Sequence, residues 1–378
     1  MGQVYLDNAA TTALDARVKQ AMIAAMELTG NPSSVHSVGR KSKALVESSR
    51  TRISKYFKCQ PGEITFTSGG TEANNLAILG TVEVGEIKTI ISSKIEHPSV
   101  IESIKKAQRV FNVSVKWVKL HADGAVDMDD LAALLSQNPN ALVSLMAVNN
   151  EIGNILNLKQ VGEMCHSYGA IFHTDTVQAV GHIALNLSEL PVDLLTCSAH
   201  KLHGPKGVGF LFHRRGIALY PQVTGGAQER DARGGTENLV GIAGFDKGLE
   251  LAFLNFENTN PHITDLKAYF IQQLTNQFPQ VLFNGQSKSE KNSVNTILSL
   301  NFPNHSTNEM ILFQLDLKGI MVSGGSACSS GSIKGSHVLS ELETKGASVR
   351  ISFCSSNTKQ EIDRVINALS EILKEENN

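Results

Sequence analysis

The residues that most directly suggest chemistry lie in one short stretch, 196–209, which reads TCSAHKLHGPKGVG. The pattern predicts a buried strand over 194–198 and a second apolar strand over 207–214. Lys201 is therefore placed between two core strands, where an ammonium group is rarely found without a function. Desolvation of a lysine favours its free amine, which can attack an aldehyde and form a Schiff base. For Lys206, we prefer the plainer interpretation of an exposed loop lysine.

Composition and charge narrow the class of protein. A chain of 378 residues is expected to form one larger and one smaller domain. A net charge of −2 without a dense basic stretch argues against direct nucleic-acid binding. The five cysteines are odd in number and form no C-x-x-C pair, which indicates reduced thiols. No signal sequence and no run of about 20 apolar residues is present. We therefore expect a cytoplasmic protein with no membrane partner.

Strand and helix patterns alternate from 88 to 214, which predicts a doubly wound α/β sheet. Within this stretch we expect a helix over 98–111 and a buried strand over 141–148, and farther along the chain a helix over 264–278. In open parallel sheets, ligands bind beyond the carboxyl ends of the strands. Polar residues follow several of the predicted strands, namely His97, Asn149, Asn150, Asp175, Gln178, Ser198, His200 and Lys201. These side chains are expected to meet at one edge of the sheet.

An earlier segment predicts an anion site. A strand over 63–67 is followed by SGGTEANN at 68–75 and then by the apolar start of a helix. Such a turn directs backbone N–H groups and the positive end of a helix at one point. The plainer alternative is a helix capped by Thr71. Neither a Walker loop nor a dinucleotide fingerprint is present in this position.

Asp175, at the end of a predicted buried strand over 171–175, has two interpretations. It could be a helix cap or an ion-pair partner. It also suits pyridoxal phosphate, whose ring nitrogen must stay protonated if the ring is to act as an electron sink. In that interpretation Lys201 binds the cofactor aldehyde, and the phosphate is held by Gly70, Thr71, Ser198 and His200.

A zinc site made of Cys197, His200 and His203 is a competing interpretation of the same stretch. In a strand-like run, residues 197 and 200 face opposite ways, and no fourth ligand lies nearby in the sequence. We therefore reject a metal centre here.

Motifs along nearly the whole chain resemble the pyridoxal-phosphate-dependent cysteine desulfurases of the NifS/IscS type, within the class V aminotransferases. They are YLDNAATT (5–12), NPSSVHSVG (31–39), FTSGGTEANN (66–75), EHPSV (96–100), VNNEIG (148–153), HTDTVQ (173–178), SAHKLHGPKGVG (198–209), GGAQER…RGGTEN (225–238), GSACSSG (325–331) and VRISF (349–353). The resemblance implies a homodimer of fold-type I. It implies a large cofactor domain over 16–255 with a mostly parallel seven-stranded sheet. A smaller α+β domain, built from 1–15 and 256–378, would carry the loop of Cys328.

The resemblance also implies roles for individual residues. Lys201 matches the Schiff-base lysine, Asp175 the partner of the ring nitrogen, and Gln178 the contact of the ring hydroxylate. His97 matches the histidine that stacks on the ring and handles a proton. The implied phosphate ligands are Gly70, Thr71, Ser198, His200 and, from the neighbouring subunit, Thr236. Asn150 and Arg350 match the residues that hold the substrate carboxylate, for which the planar fork of arginine is suited.

Cys328 lies in SGGSACSSGS at 323–332, a segment almost without large side chains. This composition predicts a mobile loop with an exposed, nucleophilic cysteine. The other cysteines, Cys59, Cys165, Cys197 and Cys354, are expected to be buried and inert. By resemblance, Cys328 takes sulfur from L-cysteine as a persulfide and releases alanine. No resident metal is implied; Cys328 is expected to ligate an iron–sulfur cluster only transiently. The segment resembles that of the family's first group.

The expected function is that of a cysteine desulfurase. It would supply sulfur to an acceptor or an iron–sulfur scaffold protein for cluster assembly, to tRNA thiolation, or to both. A selenocysteine lyase or another class V aminotransferase would share Lys201 and Asp175, so these alternatives stay open. A sulfur-carrier scaffold without enzymatic activity would not need those two residues together with Gln178.

Overall fold

A seven-stranded sheet forms the centre of the fold, with helices packed around it. The computed structural model describes residues 2–303, 308–324 and 335–375, and of residues 255, 257–259, 308, 309, 374 and 375 it gives only the backbone. The strands are β1 (Val4–Tyr5), β2 (Ile64–Thr67), β3 (Thr89–Ser92), β4 (Ser114–Trp117), β5 (Leu142–Ser144), β6 (Ile171–Asp175), β7 (Leu194–Ser198), β8 (Gly209–His213), β9 (Leu282–Phe283), β10 (Ile297–Phe302), β11 (Ile320–Met321) and β12 (Ala347–Ser352). The α-helices are α1 (Ala16–Met26), α2 (Ser37–Phe57), α3 (Gly70–Glu83), α4 (Pro98–Phe111), α5 (Met128–Gln137), α6 (Leu158–Ser167), α7 (Leu239–Gln277), α8 (Asn308–Leu317), α9 (His337–Glu341) and α10 (Lys359–Glu375).

The strand order of the central sheet is β2-β8-β7-β6-β5-β3-β4. The strand β8 runs antiparallel to both of its neighbours, and the remaining pairs are parallel. The predicted mostly parallel, seven-stranded sheet is thus confirmed. Because β8 is antiparallel to both β2 and β7, those two strands point in the same direction. The carboxyl ends of β2, β3, β5, β6 and β7 therefore share one edge of the sheet.

Several predicted elements are confirmed with their bounds. The predicted strands over 171–175 and 194–198 are β6 and β7, and all of β7 is buried. The helix α4 begins and ends as predicted because its sequence specifies both ends. His97 caps it by accepting from the Ser99 N–H, Pro98 occupies its first turn, and Asn112 ends it with φ 56°.

The buried strand expected over 141–148 is shorter than predicted. The strand β5 ends at Ser144, opposite Ser92, the last residue of β3. Leu145 and Ala147 still donate to carbonyls of β6, over 3.1 and 2.9 Å. The pairing on the other side has ended by then, so the chain leaves the regular ladder towards the turn that carries Asn150.

The helix expected over 264–278 is much longer than predicted. It is the last part of α7, which has 39 residues and continues through Pro261. A proline normally ends a helix at the residue before it, which is why the sequence indicated a start beyond it. The expected boundary between 255 and 256 falls inside this helix, and the division into domains remains a prediction.

Apolar side chains form two large clusters and a smaller one. The first large cluster covers one face of the central sheet and includes Phe57, Phe172 and Phe210. The smaller cluster, which includes Leu211, covers the opposite face. The second large cluster includes Phe270 of α7 and Ile351 of β12 and fills the space between those elements, α8 and α10. The antiparallel sheet β12-β10-β9 belongs to it, and β1 reaches it by pairing with β11. Among the helices described, none is both long and apolar enough to cross a membrane.

Candidate active site

One cavity of ≈ 360 Å³ lies at the carboxyl edge of the central sheet. Eight of the nine residues predicted to bind the cofactor line it, all except Thr236, namely Gly70, Thr71, His97, Asp175, Gln178, Ser198, His200 and Lys201. Both residues predicted to hold the substrate carboxylate, Asn150 and Arg350, line it as well. The fold thus brings together side chains that are up to 280 residues apart in sequence (70 to 350).

Lys201 ends a single 3-10 turn, Ala199–Lys201, that directly follows β7. Its Nζ donates to the carbonyl oxygens of Ala9 and of Ala10, the latter over 2.8 Å. The ring of His200 lies 3.2 Å from Thr11 Oγ1. The N-terminal turn is therefore one wall of the site, a role that the sequence alone did not assign to it.

Asp175 is 5% exposed at the end of β6. Its Oδ2 accepts from the Asn74 amide over 2.7 Å, and its Oδ1 accepts from the Val177 N–H over 2.9 Å. Both donors are neutral, so neither cancels the charge of the carboxylate. A buried carboxylate held in this way is suited to a ligand with a protonated nitrogen.

The start of α3 lies where an anion site was predicted, and its geometry is compatible with one. Gly69 has φ 149°, which only glycine adopts readily, and no side chain caps the helix. A Cβ on Gly70 would meet Val177 Cγ2 at 2.9 Å, so the close packing here excludes a larger residue. Free N–H groups at a helix start bind anions. Burial lowers the pKa of His200 to about 4, so it contributes as a neutral ring.

A hydrogen-bond relay sets the proton on His97. The Asn74 amide nitrogen must face Asp175, since its oxygen would repel the carboxylate, and it also donates to Ser99 Oγ over 2.9 Å. Ser99 Oγ lies 2.7 Å from His97 Nδ1, which also accepts from the Ser99 N–H over 3.1 Å. Nδ1 is therefore an acceptor, and the neutral ring carries its proton on Nε2. Burial, foremost, lowers the pKa of His97.

Asn74 and Ser99 are functional residues that the sequence reasoning missed. Asn74 belongs to the motif FTSGGTEANN, but its position inside a helix gave no sign of its direction. Ser99 follows His97 by two residues, which is the spacing of an N-cap and its partner, and that spacing is the signal that could have found it.

Arg350 enters the cavity from the smaller sheet, where it lies on β12. One guanidinium nitrogen donates to the Asn150 carbonyl over 2.8 Å, and another forms an ion pair with Asp7 over 2.7 Å. The sequence predicted a carboxylate-binding arginine; the structure adds the partners that orient it.

Thr236 is not among the residues that line this cavity. It lines a separate cavity together with Ser68 and Gly207. The segment leading to it contains three consecutive residues with positive φ, Glu229, Arg230 and Asp231. Glu229 is buried in an ion pair with Arg50, over 2.7 Å, and accepts from the Phe66 N–H over 2.8 Å. This buried pair fixes an otherwise costly backbone conformation.

Cys328 lies outside the residues that the structure describes. On the carboxyl side of its segment, His337 lines the cavity and its Nε2 lies 2.9 Å from the Glu96 carbonyl. Ser336 Oγ donates to the buried carboxyl of Glu151, whose pKa is raised by burial. These contacts hold Ser336 and His337 at the wall of the site.

The other cysteines follow the prediction with one exception. Cys165, Cys197 and Cys354 are buried as predicted, whereas Cys59 is only half-buried. Desolvation nevertheless raises the pKa of Cys59, and that of Cys165, to about 12. Neither forms a thiolate readily.

The seven-stranded sheet, the smaller sheet β12-β10-β9 with its helices, and the cavity that contains Lys201 together have the fold-type I architecture of pyridoxal-phosphate enzymes. A model of the aminotransferase class-V family matches residues 4–365, and the chain belongs to that family. It is 40% identical to cysteine desulfurase IscS of Dictyoglomus turgidum, over 98% of this chain and 95% of the relative. It is 36% identical to putative cysteine desulfurase IscS 1 of Bacillus subtilis, over 99% of each. A solved structure of a NifS-like protein superposes with a TM-score of 0.90 at 33% identity, covering 98% of this chain and 99% of that one.

Proposed function

We propose that this protein is a pyridoxal-phosphate-dependent cysteine desulfurase, which converts L-cysteine to L-alanine and holds the sulfur as a persulfide on Cys328. The observation that carries the proposal is the convergence of Lys201, Asp175 and the start of α3 on one cavity. The relatives named cysteine desulfurase, which match almost the whole chain, support the same activity.

The residues present fit the cofactor. The Asp175 carboxylate, held by neutral donors, suits the protonated ring nitrogen, and the Gly70 backbone leaves no room for a Cβ beside the anion site. Lys201 would form the covalent bond to the cofactor, His97 would stack on its ring, and Gln178 would contact its hydroxylate. Its phosphate would be held by Gly70, Thr71, Ser198, His200 and by Thr236 of the partner subunit.

When bound, pyridoxal phosphate supplies an electron sink for the carbanion that forms at the substrate Cα. The protein's own groups handle the protons. The Lys201 amine would take the substrate Cα proton as a general base. His97 is neutral with its proton on Nε2, so that nitrogen donates a proton, whereas Nδ1 stays engaged with Ser99. Asp175, oriented by Asn74, keeps the ring nitrogen protonated.

We assign substrate recognition to Arg350 of the smaller sheet and sulfur transfer to Cys328. Arg350, oriented by Asp7 and the Asn150 carbonyl, would bind the substrate carboxylate with its planar guanidinium group. The Cys328 thiolate attacks the substrate sulfur. A sulfur–sulfur bond forms, the carbon–sulfur bond breaks, and the carbon gains a proton. The net reaction of one thiol with L-cysteine gives one persulfide and L-alanine.

The same proposal includes the oligomeric state of the enzyme, its location in the cell and the acceptor of its sulfur. The protein acts as a cytoplasmic homodimer, with a large domain over 16–255 and a small domain made of 1–15 and 256–378. Its persulfide is passed to a sulfur-acceptor or iron–sulfur scaffold protein, for cluster assembly, tRNA thiolation or both. The name IscS of the relatives supports the role in iron–sulfur assembly.

An absorbance spectrum before and after addition of L-cysteine, with alanine and sulfide assays, tests the proposal. The proposal predicts a yellow protein whose spectrum changes on addition and which forms alanine. Lys201→Ala should abolish the absorbance band that makes the protein yellow before L-cysteine is added. Lys206→Ala, in the adjacent turn, should leave that band unchanged. Colour with a spectral change but no alanine would reject the desulfurase and favour an aminotransferase. A colourless protein, even with added pyridoxal phosphate, would reject both.

A further inference from the structure

A second cavity, of ≈ 460 Å³, lies apart from the candidate active site. It is formed by the middle of α7, by the segment 288–295 and by Ile155 and His182. No residue that lines the active-site cavity lines this one, within the described part of the chain. The proposed reaction therefore gives it no role.

Lys267, on α7, is the unusual residue of this second cavity. It is 5% exposed, although lysines are rarely buried without a paired carboxylate. None of the described carboxylates forms an ion pair with it. Its Nζ donates instead to the Val294 carbonyl over 2.8 Å and to Ser293 Oγ over 3.2 Å.

The count of donors indicates the protonation state that the site favours. An ammonium group has three N–H donors, whereas a neutral amine has two and a lone pair. Two acceptors are in place among the described residues, which matches the two N–H donors of the neutral amine. Burial lowers the pKa of Lys267 to about 7, while Glu290 opposes this shift. The other titratable groups that line the cavity are His182 and Lys288.

We propose that Lys267 is a modification site that accepts a small acyl group from an acyl phosphate. Its Nζ attacks the carbonyl carbon, so that a carbon–nitrogen bond forms. The bond from that carbon to the phosphate oxygen breaks, phosphate leaves with the electron pair, and one Nζ proton passes to solvent. The cavity gives the acyl donor room beside the amine.

Acylation would change the contacts of a neighbouring segment. The resulting amide has a single N–H, so either the bond to Ser293 or the bond to Val294 is lost. The Val294 N–H itself donates to the Gly153 carbonyl over 2.9 Å, three residues after Asn150. The modification therefore acts on a segment that supports the substrate-binding turn. The proposal about Lys267 does not depend on the proposed desulfurase activity.

Reaction of the pyridoxal-phosphate-loaded protein with acetyl phosphate, followed by peptide mapping by mass spectrometry, tests this site. Lys288 is an internal reference, since it lines the same cavity but is exposed. At pH 7, Lys267 should be acetylated at least about tenfold faster than Lys288, because burial favours the free amine of Lys267. At pH 10 the ratio should shrink, since a higher pH favours the free amine of lysines in general.

Two variants complete the experiment. Lys267→Arg should remove the fast phase of acetylation, whereas Lys288→Arg should leave the rate at Lys267 unchanged. If Lys267 in the unmodified protein reacts no faster than Lys288 at pH 7, the proposal is wrong, whatever the desulfurase assay shows.

Discussion

The Asn74 amide lies 2.7 Å from Asp175 Oδ2 and 2.9 Å from Ser99 Oγ, so one side chain orients both the buried carboxylate and the serine that contacts His97. Asp175 and His97 are the residues expected to act on the ring nitrogen and on the face of the cofactor. A single amide on α3 thus connects the two.

Replacing Asn74 tests that connection. Asn74→Ala removes a hydrogen bond to a buried charge, which costs about 1.5–3 kcal/mol. If the loss of this hydrogen bond destabilises the cofactor-bound protein more than the apoprotein, the affinity for pyridoxal phosphate should fall. A titration of the apoprotein should then show binding roughly tenfold to a hundredfold weaker. Asn75→Ala is the matched control, since Asn75 is the next residue and its amide donates to the Thr71 carbonyl of the same helix. Equal affinities of the two variants would contradict the role of Asn74.

The pH dependence of activity should reflect a neutral His97. Burial holds the pKa of His97 below its ordinary value of 6.5, so the ring stays neutral as the pH falls through 6.5. An acidic limb of kcat/KM that belongs to His97 must therefore lie below pH 6.5. The profile of alanine formation for the native protein and for His97→Gln measures this. A limb centred above pH 6.5 that disappears in His97→Gln would contradict the assignment.

Nitrogen NMR of the same histidine checks the relay independently. In the native protein, the neutral His97 ring should carry its proton on Nε2. Ser99→Ala removes one of the two contacts at Nδ1, so a share of the other tautomer should become visible. A native ring protonated on Nδ1 would show that the direction of the relay is wrong.

Glu96 should make the protein less stable as the pH rises. Its carboxyl is buried between the Ser93 hydroxyl and the Met146 N–H, and burial raises its pKa to about 8. The unfolded chain releases this proton near pH 4.5, so the folded state binds more protons between the two values. From this group alone, the free energy of unfolding should fall by up to about 1.4 kcal/mol per pH unit in that window.

Urea denaturation between pH 5 and pH 8 measures the effect of Glu96. Glu96→Gln should flatten the dependence and leave the protein more stable than the native form at pH 8. Glu102→Gln, on the exposed face of α4, should change neither. A slope unaffected by Glu96→Gln would contradict the assignment.

The buried pair of Arg50 and Glu229 should contribute strongly to stability. Arg50→Met leaves the Glu229 carboxylate buried without its partner, which is expected to cost about 3–5 kcal/mol in urea denaturation at 25 °C. Arg230→Met, which breaks an exposed pair with Glu47, should cost at most about 1 kcal/mol. Similar losses in the two variants would show that the pair does not support the segment before Thr236.

Much of the fold was predictable because local signals agreed with the final structure. The strand β6 and the helix α4 were found with their bounds, since a short run rich in β-branched and aromatic residues before Asp175 and a capped start at His97 are both local patterns. The length of α7 was not predictable, because the packing of a long helix across both apolar clusters outweighs Pro261. That information is in the tertiary contacts rather than in any short window.

The candidate site also contains residues that local sequence patterns identify and residues that they do not. Lys201, Asp175 and Gly70 were identifiable because each follows a strand, and strand ends meet at one edge of a parallel sheet. Asn74, Ser99 and the N-terminal turn at Ala9 act through hydrogen bonds whose directions depend on the folded geometry. Residue type and spacing do not report those directions.

The most direct test of the account is the mass of the Cys328 peptide after one turnover with L-cysteine, measured together with alanine. The account predicts that this peptide gains the mass of one sulfur atom as one alanine forms per active site. In Cys328→Ser, the spectral change on adding L-cysteine should persist without sulfur transfer. Sulfur found on another cysteine, or alanine formed at the native rate by Cys328→Ser, would contradict the central claim.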